Sequence, residues 1–556
     1  MLRAPPPISD QAAHLARDLG LTRTAASVLV ARGLSQPAAV SRFLDPRLSH
    51  LTSPETMKDR SEAVARIASA LRSRERICVF GDYDADGVTA AALLTEVLRT
   101  LGGDVVTLLA DRFDGGYGLS GPALARVVAT GASLLITCDC GSSDHERLHA
   151  AKRAGIDSVV VDHHRVPEEA LPAVAFLNPH RPGCTFSYKG LASVGLALSV
   201  GAGVRASLGS ALDMRRWLDL VALGTIGDVA PLDGDNRALV RAGLGALARG
   251  QRPGTRALVA IAGCRLFVPT GEDVSFRLVP RINAPGRLEK PDAALQLLLA
   301  TDDGEARRLA AEVEMLCSRR KEIQHTVSAE AFQMMEDGGL RGLPGVVVAK
   351  QGWHPGVVGI VAGRLCSFFR KPTVVIALDG ARGRGSARAP AGFSIYDALS
   401  RARETLLGFG GHHAAAGIEV QSHLVDSFRD RFMEACFAMG PAGGPFHDEP
   451  DALLEDGDPP ARVMAELERF EPCGHANPAP RILIERARVL GMREVRGGHL
   501  KLWLDVAGTK LSCFGAEMSG LTETLGSHAR VMGGLRRDAW TGGGAVEMRL
   551  LALEPA

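Results

Sequence analysis

Residues 76–90 read RICVFGDYDADGVTA. An apolar run, Ile77–Phe80, stops at a glycine. Three aspartates then fall at alternate positions, Asp82, Asp84 and Asp86, and Gly87 follows at once. The apolar run has the length and character of a buried strand, and TAAALLTEVLRTLG (89–102) has the texture of a helix, predicted to begin near Val88. A charged turn between a strand and a helix lies at the carboxyl edge of a sheet, which is where open α/β folds bind their ligands.

The same texture recurs on either side of this turn. DVVTLLA (104–110), SLLITCD (133–139) and DSVVVD (157–162) are predicted strands, and GPALARVVATGA (121–132) is a predicted helix between them. Such alternation predicts a parallel sheet covered on both faces. Two of these strands also end in potential ligands. SLLITCD ends in Asp139 with Gly141 beyond it, and SVVVDHH ends in Asp162, His163 and His164. LGTIGDVAPL (223–232) adds Asp228 between a helical segment and a proline turn. Four distant segments are therefore expected to meet at one rim. Crowded carboxylates raise each other's pKa, and none of the four short motifs contains a Lys or Arg to relieve them. Divalent cations are the simplest remedy. Mixed carboxylate and imidazole donors suit manganese, with magnesium as the alternative, and this many carboxylates would hold two ions able to promote hydrolysis at phosphorus.

The remaining chain reads as further domains. At 556 residues it exceeds one ordinary core, and 46% hydrophobic content excludes wholesale disorder. Residues 1–75 are predicted helical, including SEAVARIASALRS (61–73), and the sheet domain runs over 76–290. One long helical pattern covers 291–338, where Ala306, Leu309, Val313, Leu316, Ile323 and Val327 recur at helical spacing. A second, smaller α/β unit follows over 339–440, with strands in LPGVVVAK (343–350) and TVVIAL (373–378). PAGGPFHDEP (441–450) reads as a linker, and 450–556 as a small β barrel with a helix in PARVMAELERF (460–470). The ten scattered cysteines fit a reducing compartment. No apolar stretch suits a membrane and the N-terminus lacks a signal-peptide pattern, so a cytoplasmic chain without membrane partners is expected. Lys+Arg (64) and Asp+Glu (63) balance, so net charge points to no polyanion.

GDYDADG, TCDCG, VDHH and GDVAPL resemble, in order, the four motifs of the DHH phosphoesterase superfamily, and FGGHHAAAG (409–417) resembles the signature of the DHH-associated domain. RINAPGRL (281–288), GWHPGVVGIVAGRL (352–365) and GSARAPAGFSIYDAL (385–399) narrow the likeness to its single-strand-specific 5′ to 3′ DNA exonucleases, over essentially the whole chain. The resemblance implies a DHH domain and a smaller DHH-associated domain joined by a long helix, followed by an OB-like barrel. It also implies hydrolysis of single-stranded DNA in recombination and repair. The implied bridging ligand of two Mn2+ or Mg2+ ions is Asp139. Asp82 and Asp84 then serve one ion, and Asp86, His163 and Asp228 the other. His164 contacts a phosphate oxygen or orients the nucleophile, and Asp162 hydrogen-bonds a ligand histidine. Ser386, Arg388 and Arg112 resemble a 5′-phosphate clamp, Arg281 reaches the scissile region, and His412 approaches the phosphate. Tyr117 and Trp353 are candidates to stack on bases, with core packing favoured for Trp353. Arg486, Arg488, Arg493, Arg496 and Lys501 are candidates for a backbone track on the barrel. Implied partners of a monomer are single-strand-binding protein and a RecQ-type helicase. Two other readings stay open, a phosphodiesterase of short oligonucleotides or cyclic dinucleotides and a non-catalytic replication scaffold.

Overall fold

The computed structural model describes residues 2–264, 268–337, 342–440, 449–520, 525–538 and 542–556. It divides into two compact units. One comprises Met1–Asn283, Pro291–Ala311 and Asp448–Ala556, the other Ala284–Lys290 and Glu312–His447. Most of the expected linker, 441–448, lies outside the described residues.

The first unit opens with helices α1 (Asp10–Leu19), α2 (Arg23–Ala31), α3 (Pro37–Leu44) and α4 (Arg60–Arg72). A parallel sheet follows, built from β1 (Arg76–Gly81), β2 (Asp104–Leu109), β3 (Leu134–Cys138), β4 (Asp157–Val161) and β5 (Ala175–Leu177) in the order β2-β1-β3-β4-β5. Strand β5, only three residues long, gave no separate signal in the sequence. Every residue of β3, and all but the first of β1 and β4, is buried, as a sheet covered on both faces requires. Helices α5 (Ala85–Thr100), α6 (Gly121–Ala129), α7 (His145–Arg153), α8 (Ser193–Ser207), α9 (Leu218–Gly227), α10 (Gly234–Arg249) and α11 (Pro253–Ile261) belong to the same unit, and short helical turns follow over 271–282.

Helix α5 starts three residues before the expected Val88. Asp84 is its N-cap, and Asp84 Oδ1 accepts from the N–H groups of Asp86 and Gly87 at 3.0 and 3.2 Å. A capping aspartate satisfies orphan donors of the first turn, so the acidic turn itself nucleates the helix. The long helical pattern at 291–338 is also corrected. It comprises two helices, α12 (Asp292–Leu299) and α13 (Asp303–Asp337). Ala300 between them is extended at ψ 133°, and Asp302 Oδ1 accepts from the N–H groups of Gly304 and Glu305 to start α13 afresh.

Within the second unit, β6 (Val346–Gln351), β7 (Thr373–Asp379), β8 (Arg382–Arg388), β9 (Gly408–Gly411) and β10 (Ala415–Gln421) form a mixed sheet in the order β6-β7-β8-β10-β9. Helices α14 (Pro355–Phe369), α15 (Ile395–Arg401) and α16 (Val425–Met439) belong to the same unit. Glycine-rich β8, β9 and β10 lacked the apolar run that marks a strand in sequence.

The barrel returns to the first unit. A short β11 (Ala452–Leu453) and helix α17 (Pro460–Leu467) precede β12 (Ile482–Val495), β13 (His499–Val506), β14 (Thr509–Gly515), β15 (His528–Arg537) and β16 (Val546–Pro555). Pairing of β12 with both β13 and β15 closes five strands on themselves. Closure removes the exposed edges of a sheet. Leu15, Leu29 and Leu44 of α1–α3 share one core with Phe470, Ile482, Leu502 and Val531 of the barrel region.

Candidate metal centre

The backbone ladder carries the acidic residues to a common rim. Asp82 N–H donates to Cys138 O at 3.1 Å, Asp139 N–H to Val161 O at 3.0 Å, and Asp162 N–H to Leu177 O at 3.0 Å. Each aspartate thus extends its strand by one rung, so the parallel register sets Asp82, Asp139 and Asp162 side by side. Two glycines make the approach possible. A Cβ on Gly87 would lie 2.6 Å from the backbone N and O of Asp82, and one on Gly224 of α9 would lie 2.9 Å from Asp86 Oδ1. The glycine that follows the three aspartates is therefore required by the close passage of α5 over the end of β1. Asp139 adopts φ 64°, the left-handed region that aspartate tolerates better than most residues.

Among the described residues, three sets of potential ligand atoms lie within 4.8 Å of one another: Asp82, Asp84 and Asp139; Asp86, His163 and Asp228; and Asp139, His163 and His164. His163 Nε2 is 3.3 Å from Asp139 Oδ1, 3.7 Å from Asp228 Oδ2 and 3.9 Å from Asp86 Oδ2. Asp82 Oδ1 and His163 Nε2 are buried without a hydrogen-bond partner. Buried polar atoms are rarely left so, and these two, set among carboxylates, have the chemistry of cation ligands.

Electrostatics agree. Burial, then the charge of Asp84, raises Asp82 well above the ordinary carboxylate range and lifts Asp86 to about 7. Burial, then Asp86, lifts Asp139 well above that range and Asp228 to about 8. Burial, then neighbouring His164, lowers His163 to about 4, which keeps it neutral and able to ligate. His164 behaves oppositely. Burial works against its charge, but the hydrogen bond and charge of Asp162 raise it to about 9. Its Nδ1 is 2.8 Å from Asp162 Oδ1. Asp162 is held well below the usual range because His164 outweighs its burial. The expected bond from Asp162 to a ligand histidine is corrected here: its side-chain partner is the cationic His164, and only the backbone N–H of His163 reaches it. Tyr117, 47% exposed, has its hydroxyl 3.0 Å from both Asp139 O and His164 Nδ1. Its ring also meets His164 edge-on, so it forms a wall of the site. Arg112 lies over the ring of Tyr83 at 4.1 Å, and its charge favours ionised Asp82.

Sequence comparison adds to this geometry. Residues 76–225 match the DHH family, N-terminal domain; 343–438 match the DHHA1 domain; and 451–552 match the RecJ OB domain. The single-stranded-DNA-specific exonuclease RecJ of Bacillus subtilis is 36% identical over 542 residues, covering 96% of this chain and 68% of the relative. The chain belongs to the RecJ family. A crystal structure of RecJ from Thermus thermophilus in complex with Mn2+ matches with TM-score 0.84 at 29% identity, covering 100% of this chain and 79% of that one. The Mg2+ complex from the same organism matches with TM-score 0.78, again at 29% identity, covering 100% and 78%.

Other predicted RecJ-family site residues are placed as follows. Ser386 and Arg388 share a face of β8, and a Cβ on Gly359 of α14 would lie 3.1 Å from both Ser386 Oγ and Arg388 Nη2. Arg388 is half-buried, and burial lowers its pKa. His412 is exposed in the turn between β9 and β10. Arg281 is buried, and its Nη1 donates to Arg277 O. Trp353 is a core residue at 5% exposure whose Nε1 donates to Glu330, so it is withdrawn from base stacking. On the barrel, Arg486, Arg493 and Arg496 are exposed. Two members of the expected track are engaged elsewhere. Lys501 Nζ is 2.6 Å from buried Glu547, and Arg488 pairs with Asp505 at 2.8 Å.

The sequence reading missed two groups. Ser193, at the start of α8, touches two candidate ligands. Trp503 and Phe514 alternate with the buried residues of β13 and β14 and so lie on the barrel's outer face, with Lys510 over the Trp503 ring at 5.7 Å. Strand alternation in LKLWLDV carried the Trp503 signal; nothing local marked Ser193.

Proposed function

We propose that Asp82, Asp84, Asp86, Asp139, His163 and Asp228 hold two divalent cations, Mn2+ or Mg2+, and that the 5′ to 3′ exonuclease activity on single-stranded DNA takes place over them. The observation that carries this reading is the pair of buried, unpartnered atoms, Asp82 Oδ1 and His163 Nε2, inside a cluster of raised carboxylates. Cations bound there would activate water and stabilise charge on the leaving oxygen. The chain's own residues supply the rest. His164, held cationic by Asp162 with Nδ1 directed to it, presents Nε2 as a donor for a phosphate oxygen. Tyr117 fixes that imidazole and walls the site. Ser386 and Arg388 are suited to a terminal 5′ phosphate because the guanidinium fork matches phosphate oxygens; Arg112, His412 and Arg281 are each assigned to the substrate by family position alone. The outer face of the barrel, with Trp503, Phe514, Arg493 and Lys510, combines stacking rings and cations as single-strand grooves do. Family resemblance supports single-strand-binding protein and a RecQ-type helicase as partners of a cytoplasmic monomer, which gel filtration with each would check.

The test uses single strands labelled at either end. Chelation should abolish release of 5′ nucleotides and Mn2+ should restore it. Asp139→Asn should lose activity at every Mn2+ concentration while keeping its circular dichroism spectrum. Full activity in excess chelator, or in Asp139→Asn, would refute the assignment.

A further inference from the structure

Helix α8 meets the acidic cluster with its first turn. Ser193 is wholly buried there. Its backbone N–H donates to Asp86 Oδ2 at 2.7 Å, and that of Val194 donates to Asp86 Oδ1 at 2.9 Å. The Ser193 hydroxyl donates to Asp139 Oδ1 at 3.0 Å. Any residue at these positions would supply the two amide bonds. The third bond needs a side-chain hydroxyl, and among the described residues it is the one hydrogen bond donated to the Asp139 carboxylate.

We propose that Ser193 is a positioning residue that fixes the carboxylate of Asp139 and thereby sets the affinity of the centre for its cations. Asp139 stands between proposed ligands, grouped with Asp82 and Asp84 on one side and 3.3 Å from His163 Nε2 on the other. A carboxylate shared in this way must present its two oxygens in different directions, yet its terminal torsion is broad and soft. The backbone of Asp139, at φ 64°, sets where the side chain starts; the Ser193 hydroxyl sets how its plane is turned. The same turn of α8 clamps both oxygens of Asp86, so one helix end orients a ligand from each of two sets. Removing such an outer donor costs about 10–100-fold in metal affinity.

This inference rests on the two-cation reading, and the experiment separates the two. Mn2+ is titrated into the full chain, and free Mn2+ is measured by electron paramagnetic resonance for the wild type, Ser193→Ala and Ser193→Thr. Melting in chelator serves as the folding control. Ser193→Ala should raise the dissociation constant of at least one ion about tenfold with its melting unchanged, and Ser193→Thr, which keeps the hydroxyl, should recover most of the loss. Should the alanine variant fail its folding control, Ser193→Gly, which removes the hydroxyl and adds no atom, takes its place. Superimposable Mn2+ isotherms for the wild type and a folded hydroxyl-free variant would overturn the proposal, as would a folded Ser193→Thr as weak as Ser193→Ala. A wild type that takes up no Mn2+ would instead bring down the two-cation reading.

Discussion

Asp86, Asp228 and His164 share a property that ordinary surface groups lack: the folded chain holds their protons longer than the unfolded chain does, the two carboxyls because of burial and neighbouring aspartates, His164 because Asp162 outweighs its burial. Their pKa values rise to about 7, about 8 and about 9, against ordinary values near ~4 for carboxylates and ~6.5 for histidine. Above about pH 6.5 the folded state therefore binds more protons than the unfolded one, and linkage makes stability fall as pH rises towards about 9. His163, lowered to about 4, opposes this near pH 6.5, where its unfolded imidazole still binds part of a proton, and adds almost nothing to the slope above about pH 7.5. Melting temperatures in chelator should drop between pH 6.5 and 9. Saturating Mn2+ should flatten the drop, because cations bind the deprotonated carboxylates. Asp228→Asn should show a shallower slope than the wild type, and a metal-free melting temperature that climbs with pH would contradict the account.

At the scale of elements, most of the candidate metal site is made by strand ends, and strand ends are legible. A buried parallel strand reads as an apolar run, and the polar residue that stops it is where the chain leaves the sheet. Asp82, Asp139 and Asp162 were recognisable in this way. Contacts made across helices were not. Ser193 lies more than 50 residues from Asp139, in a helix whose sequence, SVGLALSV, shows only burial. Gly359 makes the same point in the second unit, because it leaves room beside Ser386 and Arg388. If those two side chains hold the 5′ phosphate, Arg388→Ala should remove a charge-assisted bond worth about 1.5–3 kcal/mol. The preference for 5′-phosphorylated over 5′-hydroxyl strands should then fall by roughly tenfold or more. Gly359→Ala should reduce the preference less, by displacing both side chains while keeping their chemistry. An unchanged preference in Arg388→Ala would show that the phosphate is held elsewhere.

Over the whole molecule, the N-terminal helices and the barrel are one structural piece, although more than 400 residues separate them. Leu15 and Leu29 are buried in the core that also contains Ile482 and Leu502, and each such side chain contributes about 1.5–3 kcal/mol. Arg237 of α10 holds the region between α17 and β12. Its guanidinium donates to the carbonyls of Phe43, Arg469, Phe470 and Pro472. Deleting residues 450–556 would thus strip α1–α3 of their core, and the truncated chain should aggregate or lose helical signal in circular dichroism. Point changes on the barrel's outer face avoid this. Trp503→Ala should weaken binding of long single strands by about 1–3 kcal/mol, the usual worth of one base stacked on a ring. It should leave turnover of very short oligonucleotides nearly intact. Equal affinity for long strands in a folded Trp503→Ala would remove this face from the DNA path.

Local chemistry let the sequence by itself determine the parallel α/β domain, the rim of carboxylates and histidines, the need for cations and the β-rich C-terminal domain. Buried strands need apolar runs, and clustered carboxylates need counter-charge, wherever they occur. Only the tertiary structure decided which atoms meet. It gave Asp162 to His164, made Asp84 the cap of α5, drew Lys501 to Glu547, broke the 291–338 helix at Ala300 and placed Ser193 on Asp139. These outcomes depend on register, on helix ends and on close backbone passages at glycines, where positions distant in sequence compete for the same few ångströms. Residue type alone cannot settle that competition.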